Sequence, residues 1–140
     1  MRPLPKLIGI LAVALLLIAC SVGTWQRAKV WHDSETLFAA AVEAQPMSPT
    51  AHLNLGQALA RRGDVEGASR HYAIAVRLRP GSSSAHYNLA NSLRDLGRLE
   101  QAIAQYELAL DANPDYAAAA NNLGDVYARL ERFDEAIDWF

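Results

Sequence analysis

Small and large apolar residues recur along this chain at intervals of 34, with polar residues between them. Two consecutive stretches, 49–82 and 83–116, carry the full pattern. AHLNLGQALARRGDVEGASRHYAIAVRLRP runs to Pro80, and AHYNLANSLRDLGRLEQAIAQYELALDANP runs to Pro114. A shift of 34 lays His52 on His86, Asn54 on Asn88, Leu55 on Leu89, Gly63 on Gly97, Ala68 on Ala102, Tyr72 on Tyr106 and Ala75 on Ala109. Each stretch reads as two helices about a turn. In the first, Ser48 caps a helix that opens on Pro49, a residue suited to the first helical position. That helix runs to about Arg62 and turns at Gly63–Asp64; a second runs to about Arg79, where Pro80 and Gly81 stop it. The second stretch repeats the plan, with a turn at Gly97 and a stop at Asn113–Pro114. Small residues at Gly56, Ala68 and Ala75 let helices approach, and Leu55, Leu59, Tyr72 and Val76 fill the space between. The second copy has Ala90 in the place of Gly56. A third copy, 117–140, predicts a first helix over about 115–130; Arg132, Phe133 and Asp134 lead into a second helix cut off at Phe140, the aromatic place.

Ahead of these units, 33–44 predicts one more helix, capped by Asp33, with Leu37, Phe38, Ala41 and Val42 on one face. In repeat register it is the second helix of a unit: Phe38 takes the aromatic place, Ala41 the small place and Pro46 the terminal proline. It is expected to cover the apolar edge of the first full unit, as the end units of a stacked array must. At the far end Trp139 and Phe140 leave an apolar edge with no polar closing helix. The expectation is that the sequence continues beyond Phe140; a docking edge for another subunit is the alternative.

The run 7–26, LIGILAVALLLIACSVGTWQ, is 20 residues without a charge. A helix of that length spans about 30 Å, the hydrocarbon thickness of a bilayer. Arg2 and Lys6 precede it, Arg27 and Lys29 follow, and Trp25 and Trp31 flank its end as interfacial aromatics do. Two readings compete: a spanning helix, and a cleavable signal whose Leu17-Ile18-Ala19-Cys20 resembles a bacterial lipobox with Cys20 as the lipidated residue. Apolar sequence continuing past Cys20 to Trp25 favours the spanning helix. The flanking charges balance, and the free N-terminal amine tips residues 1–6 to the cytoplasmic side. The repeats are then expected on the extracytoplasmic (periplasmic or luminal) side of a bacterial inner membrane, and the lipoprotein reading gives the same side.

Length and charge narrow the function. The chain has 140 residues, enough for one domain, and an apolar fraction of 51% that is raised by the run 7–26. Acids exceed bases by two, so no basic field points to nucleic acid. The single cysteine, Cys20, excludes an internal disulfide framework and a multi-cysteine metal site. No glycine-rich phosphate loop, nucleophile–base order or metal-ligand spacing is present. His52 and His86 are expected to pack between helices rather than to ligate metal. Asp134, Glu135 and Asp138 read as a solvated helix face. Neither enzyme chemistry nor a cofactor is expected.

The period and the helix–turn–helix plan resemble the tetratricopeptide repeat (TPR). The implied fold is all-α, an α-solenoid of TPR units (49–82, 83–116 and a truncated 117–140) preceded by a half-repeat within 27–48 and one N-terminal membrane helix. The resemblance also places the first helix of each unit on the concave side of a superhelix. Asn54, Asn88 and Asn122 would then form a ladder there. An Asn amide both donates and accepts, so such a row can hold an extended chain by its backbone, much as in the repeats of O-GlcNAc transferase. The alternative is that Asn serves turn packing and propensity at this place. Concave neighbours would be Leu53, Gln57, Tyr87, Asn91, Arg94, Asn121, Asp125 and Arg129. The basic carboxylate clamp of chaperone-binding members is absent: Leu53, Gln57, Ala118 and Asn122 stand in its places. Residues 24–56 also resemble the junction between the last membrane helix and the first repeat in polytopic O-mannosyltransferase-like membrane proteins, through Thr24, Arg27, Trp31, Asp33, Leu37, Phe38, Pro46 and the Ala51-His52-x-Asn54-Leu55-Gly56 that follows. The expected function is a membrane-anchored scaffold that binds a protein or an extended peptide on its concave face. A C-terminal fragment of a polytopic membrane glycosyltransferase and a lipoprotein acylated at Cys20 are the alternatives.

Overall fold

The structure, a computed structural model, describes residues 34–139. The expectations for the apolar run, Cys20, the flanking tryptophans, the Asp33 cap and Phe140 lie outside the described residues. Among those described, helices follow one another with no strand: α1 over 34–44, α2 Pro49–Arg62, α3 Val65–Leu78, α4 Ser83–Asp95, α5 Leu99–Ala112, α6 Ala117–Arg129 and α7 Phe133–Ile137. No helix among them is long and apolar enough to cross a membrane.

Local chemistry sets the helix ends. Ser48 Oγ accepts from the Ala51 amide at 3.3 Å, and Ser82 Oγ from the Ala85 amide at 3.3 Å, so each hydroxyl satisfies a first-turn N–H that has no helical partner. Asp64 does the same for α3 through Gly67, at 2.8 Å. Gly63 and Gly97 close the turns with φ of 90° and 74°, where a Cβ is costly. Residue 131 is the third member of that series, and there Glu131 adopts φ 59°. Tyr116 stands where Ser48 and Ser82 stand in the earlier units, and it makes no side-chain cap bond. Even so, α6 begins at Ala117, the place that Pro49 and Ser83 hold in the earlier units, two residues later than the expected 115.

Each helix packs on the next, α2 on α3 through α6 on α7. Alanines 68, 90, 102, 109 and 119 are wholly buried and keep the backbones close, while Tyr106, Leu123 and Val126 are the largest side chains sealed between them. Gly56 is a point of close approach: a Cβ there would lie 2.6 Å from a ring carbon of Tyr72. From α1, Phe38, Ala39 and Val42 pack against this core, as a half-repeat cover requires. Leu37 does not; it is 66% exposed. With Phe38 and Val42 at the centre of the buried face, a step of about 100° per residue leaves Leu37 outside it. The apolar residues exposed near the other end are Phe133 and Ile137, whereas Trp139 is half-buried against the core.

His52 and His86 are buried at equivalent places. Each turns Nε2 to the carbonyl of the proline that closed the preceding unit, Pro46 at 3.0 Å and Pro80 at 2.8 Å. No cluster of three metal-ligating side chains occurs among the described residues.

Candidate peptide-binding face

The first helices of the three units, α2, α4 and α6, carry every residue predicted for the peptide-binding face. Leu53, Asn54 and Gln57 occupy one stripe of α2, Tyr87, Asn88 and Asn91 the same stripe of α4, and Asn121, Asn122 and Asp125 that of α6. All are half-buried apart from the exposed Asn121. The stripe lies beside the buried arc of each helix, so these side chains are ordered by packing yet reach solvent.

The three ladder asparagines are not alike. Asn122 Nδ2 donates to Asn91 Oδ1 at 2.9 Å and to Tyr87 Oη at 3.3 Å, joining α6 to α4. Asn91 Oδ1 also accepts from the Tyr106 hydroxyl at 2.6 Å. Burial pushes the Tyr106 hydroxyl up to about 12, so it stays protonated and remains a donor. Tyr87 is held in turn by aromatic contacts, its ring centroid 4.8 Å from that of Tyr116 and 6.1 Å from that of Tyr106. Asn122 is therefore a strut between units. The side-chain amides of Asn54 and Asn88 make no hydrogen bond among the described residues.

The repeat itself explains the difference. The partners of Asn122 one unit back are Tyr87 and Asn91; the corresponding residues for Asn88 are Leu53 and Gln57. Leu53 has no acceptor to offer, and Gln57 makes no hydrogen bond among the described residues. Asn88 is left with its amide open.

The charged members of the face are paired locally. Arg94 donates to Asp95 Oδ1 through Nε and Nη2 at 3.1 and 3.0 Å, and Arg129 Nε lies 2.9 Å from Asp125 Oδ2. Tyr106 and Tyr116 were not anticipated as part of the site, although the match of Tyr106 to Tyr72 marked the first as a repeat position. A separate groove of about 440 Å³ opens between α3 and α5 over Leu89 and Leu93, and none of the predicted site residues lines it.

Paired antiparallel helices stacked in 34-residue units, with an amide-bearing stripe on the first helix of each, define a helical-repeat protein. The chain belongs to the tetratricopeptide repeat family, whose profile matches residues 26–83 and 87–140. No curated protein matches the chain, a membrane glycosyltransferase included. Among solved structures, a crystal structure of MamA is similar at a TM-score of 0.76 and 25% identity, over 81% of this chain and 67% of that one. A second, of the MamA protein, gives 0.76 and 23%, over 84% and 64%. MamA 41-end from Desulfovibrio magneticus RS-1 gives 0.75 and 20%, over 81% and 64%. This chain thus spans about two thirds of the length of these structures.

Proposed function

We propose that the chain is a membrane-anchored TPR scaffold that holds an extended segment of a partner protein along the face formed by α2 and α4. The observation that carries this is the pair of open amides, Asn54 and Asn88, at the same place in successive units. Each can give an N–H to a peptide carbonyl and accept from a peptide N–H, so the two grip a backbone with little regard to its side chains. Asn122 contributes rigidity rather than a third rung. Asn91 adds its NH₂, since its oxygen is already taken by Tyr106 and Asn122. Arg94, Asn121 and Asp125 form a polar rim, and Leu53 and Tyr87 offer apolar contact.

The anchor is residues 7–26, with the repeats on the extracytoplasmic side; the charge-free run of 20 residues supports it. The test of the binding mode is an array of short peptides of varied sequence probed with the full-length chain. Loss of binding in the Asn54→Ala/Asn88→Ala double variant, with unchanged helical circular dichroism, is the expected result; undiminished binding overturns the reading. For the anchor, deletion of residues 7–26 should release the protein from the membrane fraction, and retention there would refute it.

A further inference from the structure

His52 and His71 face each other through the same ring atom, Nδ1 to Nδ1 at 3.0 Å, with the rings stacked at a centroid distance of 5.3 Å. His52 comes from α2, His71 from α3. One unit later the same two places hold His86 and Gln105, with His86 Nδ1 2.8 Å from Gln105 Oε1. The two pairs occupy one position of the repeat and differ in a single residue.

Proton accounting separates them. The Pro46 carbonyl can only accept, so the nitrogen of His52 that faces it, Nε2 at 3.0 Å, must carry hydrogen. A neutral His52 then presents a bare Nδ1, and His71 must donate to it from its own Nδ1. Both hydrogen bonds survive one added proton, because the free Nε2 of His71 can take it. They do not survive a second. With both rings charged, two N–H groups point at each other across 3.0 Å and two cations share a half-buried contact. Gln105 faces no such limit, since its side chain can turn either its oxygen or its NH₂ to His86 and so serves either state of that ring.

We propose that the His52–His71 contact is an acid-sensitive latch that binds α2 to α3 and to the α1–α2 connection at neutral pH and opens when acid leaves both rings charged. The groups that bear on it lower the His71 pKa on balance. Burial, first, and then His52 and Arg70 hold His71 below its ordinary 6.5, with Asp64 opposing more weakly. On α1, Glu35 is engaged by Arg62 at 2.6 Å; on α4, Arg94 and Asp95 pair with each other. A depressed histidine keeps its neutral form in the folded protein while the unfolded chain takes up the proton first. The part of the stability that rests on a neutral His71 is therefore complete above about 6.5 and is lost as the pH falls from there towards the folded value, while the hydrogen bonds themselves break only when the second ring is charged as well. Asn54 lies two residues beyond His52 on α2, so opening the latch also loosens the helix that carries one of the open amides.

The test compares thermal midpoints of the full-length chain at about pH 7.5 and about pH 5.5, values on either side of the ordinary histidine pKa. Wild type should lose several degrees on acidification. His71→Gln, which copies the second unit, should lose clearly less, and Gln105→His, which copies the first, clearly more. The other histidines are common to all three proteins and cancel in the differences. A His71→Gln variant with the wild-type acid response overturns the proposal. Should either variant fail to fold, ¹⁵N imidazole shifts of the wild type decide: hydrogen on Nε2 of His52 and on Nδ1 of His71 at neutral pH supports the latch, and any other pairing refutes it.

Discussion

The three ladder asparagines occupy one position of the repeat, yet replacing each by alanine should give two opposite results. Asn→Ala in a helix interior gains about 0.5 kcal/mol in intrinsic propensity. At Asn54 and Asn88 nothing offsets this, because neither amide has a partner among the described residues. Both variants should be stabilised by about 0.5 kcal/mol, or two to three degrees for a domain of roughly 100 residues. At Asn122 the change removes a bond of 2.9 Å to Asn91 and a longer one of 3.3 Å to Tyr87. The first contributes about 1 kcal/mol and the second less, so after the propensity gain Asn122→Ala should cost about 1 kcal/mol, near five degrees. Tyr106 keeps its bond to Asn91 and needs no rearrangement. Urea and thermal denaturation of the full-length variants measure the stabilities, and the peptide array measures binding. Asn54→Ala and Asn88→Ala should weaken binding while raising stability. If all three variants destabilise alike, the asparagines are packing residues and the open-amide reasoning fails. If Asn122→Ala is as benign as the others, the strut between α4 and α6 does not exist.

Tyr106→Phe should cost about 1 kcal/mol through the lost bond to Asn91, whereas Tyr72→Phe should be nearly neutral in chemical denaturation, since no bond from the Tyr72 hydroxyl occurs among the described residues. Glu131→Gly should raise the thermal midpoint, relieving about 1 kcal/mol of left-handed strain at a φ of 59°, and an unchanged midpoint would count against that strain. Gly56→Ala should destabilise by about 1 kcal/mol because overpacking against the Tyr72 ring, 2.6 Å from the new Cβ, outweighs the propensity gain; a stabilised variant would show that the ring swings aside freely.

Much of the fold was legible because its signals are local. Ser48, Pro49, Gly63 and Gly97 each act on their own turn, and the helices begin and end beside them. Where the local signal lapses, the reading lapsed too: Tyr116 offers no cap of the kind Ser48 and Ser82 provide, which left the start of α6 two residues out, although the period alone, counted from Ser83, leads to Ala117. Leu37 was misplaced for a related reason, since which way the packed face of α1 turns depends on the helices it meets as well as on its own spacing. The candidate site shows the deeper limit. Repetition located Asn54, Asn88 and Asn122 at one place, but place is not role. Role depends on what the adjoining unit holds, and those units diverge. Tyr87 and Asn91 engage Asn122, while Leu53 and Gln57 leave Asn88 open. His71 gives His52 a partner that protons can disrupt, while Gln105 gives His86 one that adapts. In both cases the deciding residue lies 19 to 35 positions away, and it is found by comparing the neighbours of equivalent residues, not the residues themselves.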